Sequence, residues 1–116
     1  MTILSVDVGT TGTKMGVFRD DGDNLKLLRQ YSEEYTINTY NDGLFSDIEQ
    51  EKWQQAFLKS CKEMADLVAD VDVISLSVTT PGLSAMDKEG EPLYPAILML
   101  DQRSGPRPGI LLIPSA

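Results

Sequence analysis

The stretch Asp7-Val8-Gly9-Thr10-Thr11-Gly12-Thr13-Lys14 decides how the rest of the sequence is interpreted. It places a carboxylate at the end of an apolar run, followed by two glycines, three hydroxyls and a lysine in one short loop. Glycines let a backbone approach a ligand and point its amides at it, while hydroxyls and a lysine add donors and positive charge. A carboxylate can hold Mg²⁺ directly or through water. The stretch therefore predicts a magnesium-nucleotide site. Its metal residue is Asp7 and its phosphate-binding residues are Gly9, Thr10, Thr11, Gly12, Thr13 and Lys14.

The spacing of this loop differs from that of two well-known phosphate loops. Gly9 and Gly12 are three positions apart, no Gly-Lys-Ser/Thr follows, and the next element is expected to be a strand instead of a helix. These differences exclude a P-loop and a dinucleotide-binding fingerprint. On this pattern alone, a Gly/Thr-rich hairpin turn that binds no ligand remains an open alternative.

Strand-like runs flank the loop on both sides. Thr2 to Val8 is β-branched and nearly continuously apolar, and Met15 to Phe18 is a second such run, so the loop is short enough to join them as an antiparallel hairpin. Asp20 to Asn24 is a strong turn signal, and a third strand is expected from about Leu25 to Thr36. We therefore expect the chain to open with a three-stranded meander.

A helix and further strands are expected in the following part. Residues 46–49 (Ser-Asp-Ile-Glu) match a capping box before an apolar stripe at helical spacing. The stripe consists of Trp53, Phe57, Cys61, Met64, Leu67 and Val68. Residues 71–79 are expected to form a central strand buried on both faces, joined to the first sheet by a right-handed crossover. Two short strands at residues 83–86 and 93–100 are expected to flank a turn at residues 87–90.

Length and composition bound the class of protein. The 116 residues, 41% of them hydrophobic, suffice for one domain with a modest core. A formal net charge of -8 and the lack of histidine argue against nucleic acid or an anionic membrane as partner. Cys61 is the one cysteine and is expected to be a packed core thiol. With no charged-then-apolar leader at Met1, the expected location is cytoplasmic.

The phosphate loop resembles the first phosphate motif of the actin, hexokinase and heat-shock chaperone superfamily. Within it, the chain resembles the FGGY carbohydrate kinases, because further motifs follow in that family's order. These motifs are Phe45 to Trp53, Ser77 to Gly82, Asp87 to Pro95 and Asp101 to Ser104. The resemblance implies an α/β, RNase H-like (actin-like ATPase) fold: a truncated mixed sheet with an opening antiparallel meander and a crossover helix. Residues 1–104 would form a partial amino-terminal FGGY kinase domain, and residues 105–116 an atypical tail.

The resemblance also implies a reaction and its participants. ATP and Mg are the implied cofactors, and the γ-phosphoryl group of ATP would pass to a hydroxyl of a sugar or polyol. The residues that would approach the sugar or line its pocket are Thr80, Pro81, Gly82, Asp101 and Arg103. The family's catalytic base lies beyond position 116, so no catalytic residue is assigned and the fragment is expected to be inactive alone.

Departures from the family leave the substrate open. Met99 and Leu100 stand where many members carry a tryptophan and a polar residue, and Pro81 stands where several pentulose kinases carry a histidine. A xylulose-kinase-like member fits the resemblance, whereas the run Val78-Thr79-Thr80 is similar to that of deoxysugar kinases such as fuculose kinases, so the sugar is not identified. The alternatives are a free-standing nucleotide-binding or regulatory domain of the actin-like superfamily, or a domain whose hairpin is only a turn. An open sheet edge and uncovered apolar surface would favour self-association of the fragment.

Overall fold

The computed structural model describes residues 1–79 and 82–105, so the predictions for Thr80, Pro81 and the tail from residue 106 lie outside the described residues. The elements of the described part, in chain order, are β1 (Thr2–Val8), β2 (Gly12–Asp20), β3 (Leu25–Glu34), β4 (Asn38–Tyr40), β5 (Phe45–Ile48), α1 (Gln50–Glu63), α2 (Ala65–Val68), β6 (Val73–Val78) and β7 (Ala96–Ile97). Neither of these helices combines the length and the apolar character that crossing a membrane requires.

The first three strands form the antiparallel meander that the sequence predicts. β1 pairs with β2, and β2 pairs with β3, both in antiparallel register. β2 begins at Gly12, earlier than expected, because Gly12 already pairs with Glu34 of β3. The hairpin loop is therefore only residues 9–11. After the helices, β6 joins β1 in parallel, which gives a mixed sheet of order β3-β2-β1-β6.

One face of this sheet carries the main core. Its fully buried members are Leu4, Val6, Met15, Val17 and Met64. The predicted helical stripe packs on this face from Phe57 onward, and Phe57 and Cys61 are partly buried against the core. Trp53, the first residue of the stripe, packs instead against a second cluster that contains Ile48 and Ala96. The helix is interrupted at Met64, whose φ of -117° and ψ of 27° end α1 while its side chain stays buried. Each large apolar side chain buried here contributes roughly 1.5–3 kcal/mol to folding.

The expected central strand, buried on both faces, is instead exposed in the described part of the chain. β6 is an edge strand of the sheet, and all six of its residues are exposed. Its parallel register places Ile74, Leu76 and Val78 beside the apolar residues of β1, on the face that carries the core. α1 packs on β2 and β3, on the far side of β1 from β6. The aliphatic row consequently remains open, with Leu76 at 65% exposure.

Residues 46–49 do not form the predicted capping box. Three of them belong to β5, which lies between β4 and β7 in a second, three-stranded sheet. α1 begins after β5, and its N-cap residue Glu49 makes no side-chain capping hydrogen bond. Ser46 and Asp47 are instead buried in contacts with the distant segment 101–103. Tertiary contacts therefore outweigh the local capping preference of these side chains.

Two tight turns connect strands of the second sheet and its neighbouring hairpin, and the one at residues 87–90 is where the sequence predicts it. Residues 41–43 connect β4 to β5, and all three have positive φ, at 54°, 56° and 81°. In the second hairpin the amide of Gly90 donates to the carbonyl of Asp87 at 3.0 Å. The strands expected at residues 83–86 and 93–100 are shorter than predicted: they consist of isolated bridges from Leu83 to Ile97 and from Met86 to Pro92, and of β7. Because β7 pairs with β5, the hairpin belongs to the second sheet.

Candidate functional site

The predicted phosphate loop is a tight turn at the carboxyl end of β1. The amide of Gly9 donates to the carbonyl of Gly12 at 2.9 Å and closes the turn. Neither glycine has a positive φ, so close approach rather than an unusual backbone angle makes a side chain unsuitable here. A Cβ atom on Gly12 would lie 2.9 Å from the carbonyl oxygen of Glu33, and one on Gly9 would lie 3.1 Å from that of Gly12. Gly9 therefore allows the turn to close tightly, and Gly12 allows β2 to lie close to β3 beside the loop.

Asp7 and Lys14 face each other across the end of this hairpin. They are paired in the β1–β2 register, and Ser77 of β6 is the parallel partner of Asp7 on its other side. All three side chains are exposed on the face opposite the core. The sheet thus presents a carboxylate, an ammonium and a hydroxyl in one row beside the loop.

This row suits a metal that arrives with its substrate. Mg²⁺ typically takes one or two protein carboxylates and completes its shell with phosphate oxygens and water. Asp7 can supply one such carboxylate, and the described residues contain no group of three or more acidic, cysteine or histidine side chains that could cage a metal. The donors therefore fit a magnesium ion held jointly with a polyphosphate.

The three loop threonines have different surroundings. Thr11 is exposed, and the hydroxyl of Thr10 lies 3.3 Å from that of Thr79, which follows β6. Thr13 is fully buried, and its hydroxyl lies 3.2 Å from the hydroxyl of Tyr35. Thr11 is therefore at the loop surface and Thr10 is half-buried beside Thr79, whereas the hydroxyl of Thr13 is directed into the protein.

Tyr35 is a neighbour of the loop that the sequence did not reveal. Its hydroxyl donates to the carbonyl of Gly9 at 2.6 Å, and its amide donates to the carbonyl of Thr11 at 3.0 Å. Burial raises the pKa of this hydroxyl above its usual value of 10.0, and the negative charge of Asp7 acts in the same direction. Tyr35 is thus a neutral donor at physiological pH. The weak signal in the sequence was a tyrosine near the end of the predicted third strand, which was expected to pair with the strand after the loop.

A cavity of about 340 Å³ lies between the carboxyl ends of β1 and β6 and the second hairpin. Its lining includes Val8, Trp53, Thr79 and Gly82. Gly82, one of the predicted sugar-contacting residues, is exposed. Through Thr79 this cavity adjoins the phosphate loop, so the loop and the described end of the predicted sugar segment are brought together.

Asp101 and Arg103 lie against the second sheet and form an ion pair with each other. Arg103 Nε lies 2.8 Å from each carboxylate oxygen of Asp101, and Arg103 Nη2 lies 2.9 Å from Asp47 Oδ2. Asp101 also accepts the amide of Ser46 at 2.6 Å. The side chains of Asp101 and Arg103 are only 1% and 14% exposed. This is a buried network, in contrast to the surface ion pair that such residues usually make at a strand end.

Aromatic rings enclose the guanidinium group. Arg103 Cζ lies 4.6, 5.5 and 5.8 Å from the ring centroids of Phe45, Tyr94 and Tyr40. Rings at these distances attract a cation through their quadrupole and shield it from water. We call these three rings, together with Arg103, Asp101 and Asp47, the Arg103 cluster. It borders an open groove of about 780 Å³, lined on the other side by Asn41 and Leu44.

The charges of the Arg103 cluster shift one another's proton affinity. The hydrogen bond from Arg103 lowers the pKa of Asp101 to about 2. Burial alone would raise the pKa of Asp47, but hydrogen bonds from Tyr40, Asn38 and Arg103 outweigh it and lower that pKa. The hydrogen bond to Asp47 raises the pKa of Tyr40 to about 12. The cluster therefore holds two ionised carboxylates on one guanidinium at neutral pH.

Comparisons with known proteins agree with the motifs. The model of the N-terminal domain of the FGGY family of carbohydrate kinases matches residues 2–107. The chain is 34% identical over 104 residues to a xylulose kinase of Staphylococcus xylosus, covering 88% of this chain and 21% of that protein. It is 29% identical over 112 residues to a glycerol kinase of Trichormus variabilis, covering 90% and 21%. The chain thus spans about a fifth of the length of the curated relatives it matches.

Solved structures resemble the chain over most of its length. A xylulose kinase from Rhodospirillum rubrum superposes with a TM-score of 0.79 at 19% identity, covering 90% of this chain and 22% of that one. Plasmodium falciparum glycerol kinase, solved with ADP, gives a TM-score of 0.69 at 21% identity, with 88% and 21% covered. This likeness confirms the predicted actin-like kinase fold.

Proposed function

Because the chain belongs to the FGGY family of carbohydrate kinases, we propose that it forms one wall of the active site of an ATP-dependent sugar or polyol kinase. The observation that carries this proposal is the loop at residues 9–11, with Asp7 and Lys14 exposed beside it. The function is transfer of the γ-phosphoryl group of ATP to a hydroxyl of the second substrate.

The phosphate side of the site would be built by the loop and its flanking charges. Loop amides and the hydroxyls of Thr10 and Thr11 would bind phosphate oxygens, and Lys14 would add a point charge. Asp7 would hold Mg²⁺, which neutralises charge on the phosphates when it is bound. Because Gly9 and Gly12 have no side chain, they would let the loop backbone approach the phosphates closely. Since the hydroxyl of Thr13 is directed at Tyr35, its part would be to support the loop.

The sugar side would lie at the cavity beside the phosphate loop. Gly82 and Thr79 line this cavity, which supports a sugar position there. Roles for Thr80 and Pro81 rest on the family resemblance alone. Asp101 and Arg103 border the neighbouring groove. Because their polar atoms already bind one another and Asp47, they would shape the pocket wall more than they hydrogen-bond the sugar.

We propose a ketopentose of the xylulose class as the first substrate to test. The xylulose kinase of Staphylococcus xylosus, at 34% identity, supports this choice. Glycerol is the second substrate to test, because the glycerol kinase relative covers a similar share of the chain at 29% identity. The complete reaction would need the remainder of the active site, so we expect the 116-residue chain alone to bind nucleotide weakly and not to turn over. The proposed location is the cytoplasm.

The nucleotide proposal is tested by isothermal titration with Mg-ADP. Asp7→Asn is expected to weaken binding at least about tenfold, equivalent to about 1.4 kcal/mol, and to abolish the dependence on magnesium. Asp70→Asn is the matched control, because Asp70 is also an exposed aspartate and its replacement changes the net charge equally. Equal affinities of the wild type and Asp7→Asn would leave the loop as a structural turn. If the complete protein binds nucleotide and sugar has no effect on that binding, a regulatory domain would be favoured over a kinase.

We also propose that the chain associates with itself through the open row on β6. Ile74, Leu76 and Val78 are exposed on an edge strand, a combination that favours pairing with another chain. Light scattering should show an oligomer for the wild type and a smaller species for Leu76→Lys. A wild-type monomer at the highest soluble concentration would refute this proposal.

A further inference from the structure

Tyr35 binds the phosphate loop at two points. Its hydroxyl donates to the carbonyl of Gly9 at 2.6 Å, at one end of the loop, and its amide donates to the carbonyl of Thr11 at 3.0 Å, at the other end. A tyrosine hydroxyl has a single proton. Since that proton is used on Gly9, the 3.2 Å contact with Thr13 must be a hydrogen bond in which Thr13 donates.

These bonds determine where the loop amides point. A trans peptide is planar, so its carbonyl and the next amide point in opposite directions. With the carbonyls of Gly9 and Thr11 held toward Tyr35, the amides of Thr10 and Gly12 point away from it. Preordered amides bind an anion without a further ordering cost.

We propose that Tyr35 is a positioning residue that holds the loop in its phosphate-binding shape, with the hydroxyl of Thr13 orienting the tyrosine hydroxyl. In this role Tyr35 acts through its hydrogen bonds to Gly9 and Thr11. The effect on nucleotide affinity rests on the proposed function, whereas the effect on the loop itself does not.

Tyr35→Phe removes the hydroxyl and keeps the ring. One neutral hydrogen bond contributes about 0.5–1.5 kcal/mol, so Mg-ADP affinity is expected to fall roughly 3- to 10-fold. Hydrogen exchange of the amides of residues 9 and 35, which are hydrogen-bonded at the two ends of the loop, is expected to accelerate by a similar factor when measured without nucleotide. Tyr31→Phe is the matched control, because Tyr31 is on β3 and its hydroxyl binds the side chain of Glu33 at 3.0 Å, away from the loop.

The two readouts separate the inference from the proposed function. Faster loop exchange in Tyr35→Phe but not in Tyr31→Phe supports the inference, even if wild-type protein binds no Mg-ADP. Equal loop exchange in the two variants overturns it, even if wild-type protein binds Mg-ADP tightly. Thr13→Val supplies a second test, because its effect on loop exchange should vanish in the Tyr35→Phe background. Additive effects of Thr13→Val and Tyr35→Phe would contradict the proposed order of hydrogen bonds.

Discussion

Replacing Asp47 by asparagine tests whether the Arg103 cluster holds the second sheet together. The Asp47 side chain is 2% exposed and accepts hydrogen bonds from Arg103 Nη2 at 2.9 Å and Asn38 Nδ2 at 3.0 Å. It also accepts the hydroxyl of Tyr40. Asparagine has nearly the same volume, but it removes the charge and replaces one acceptor oxygen by a donor. Because Arg103, Asn38 and Tyr40 all donate to Asp47, at least one of them would then face the NH₂ group of the asparagine, which cannot accept its hydrogen bond.

The expected size of the effect follows from these contacts. A hydrogen bond to a charged group contributes roughly 1.5–3 kcal/mol, and removing one partner of a buried ion pair costs about 3–5 kcal/mol. Arg103 keeps Asp101 as a partner in the Asp47→Asn variant, so its charge is not left uncompensated. We therefore expect the free energy of unfolding to fall by about 2–3 kcal/mol, out of a typical 5–15 kcal/mol.

Urea unfolding followed by the fluorescence of Trp53 measures this change. Trp53 is the one tryptophan of the chain and packs against the buried Ile48 and Ala96 of the second sheet. Asp66→Asn is the control, because Asp66 also pairs with an arginine, Arg29, at 2.7 Å, but on the surface. A loss in Asp47→Asn no larger than that in Asp66→Asn would refute the structural role of the cluster.

Two further predictions concern acid and core packing. Because the folded pKa of Asp101, about 2, and that of Asp47 lie below the ordinary aspartate value of 3.8, the stability they contribute is present above about pH 4 and lost toward pH 2. Urea unfolding of the wild type at pH 7 and between pH 4 and pH 2 should show that loss of stability. If the Asp47→Asn variant lost as much stability over the same pH range, Asp47 would not contribute to the loss. Met64→Ala should cost about 2–5 kcal/mol, because Met64 is fully buried in the main core. Met99→Ala, at a residue 57% exposed, should change the unfolding free energy by less than about 0.5 kcal/mol. If Met64→Ala and Met99→Ala destabilised the protein equally in thermal unfolding, the described core would be wrong.

Local patterns predicted the elements whose structure depends on nearby residues. The run at Thr2–Val8 became β1 with the predicted bounds. The apolar stripe from Trp53 to Val68 became the helical layer, because residues at helical spacing share one face. Glycines and threonines between two apolar runs gave the hairpin loop of the candidate site.

The crossover that joins β6 to β1 was predicted, but other features that depend on distant residues could not be. Asp47 lies in a strand because its backbone pairs with β4 and β7, and its side chain binds Arg103, 56 positions later in the sequence. No local capping pattern encodes these contacts. The apolar composition of β6 indicated burial, but burial depends on what packs over the strand. Tyr35 was missed for the same reason. Its hydroxyl contacts Gly9, 26 positions earlier in the sequence, only because β3 pairs with β2.

A two-dimensional amide spectrum of the wild-type chain, titrated with Mg-ADP, tests whether the loop after β1 binds nucleotide phosphate. We expect the largest shifts at the amides of residues 9–14, and we expect these shifts to diminish when magnesium is withheld. The turn at residues 41–43, which has no proposed ligand, serves as the internal control. Unchanged amides at residues 9–14 under saturating Mg-ADP would contradict the claim that this loop is a nucleotide phosphate site.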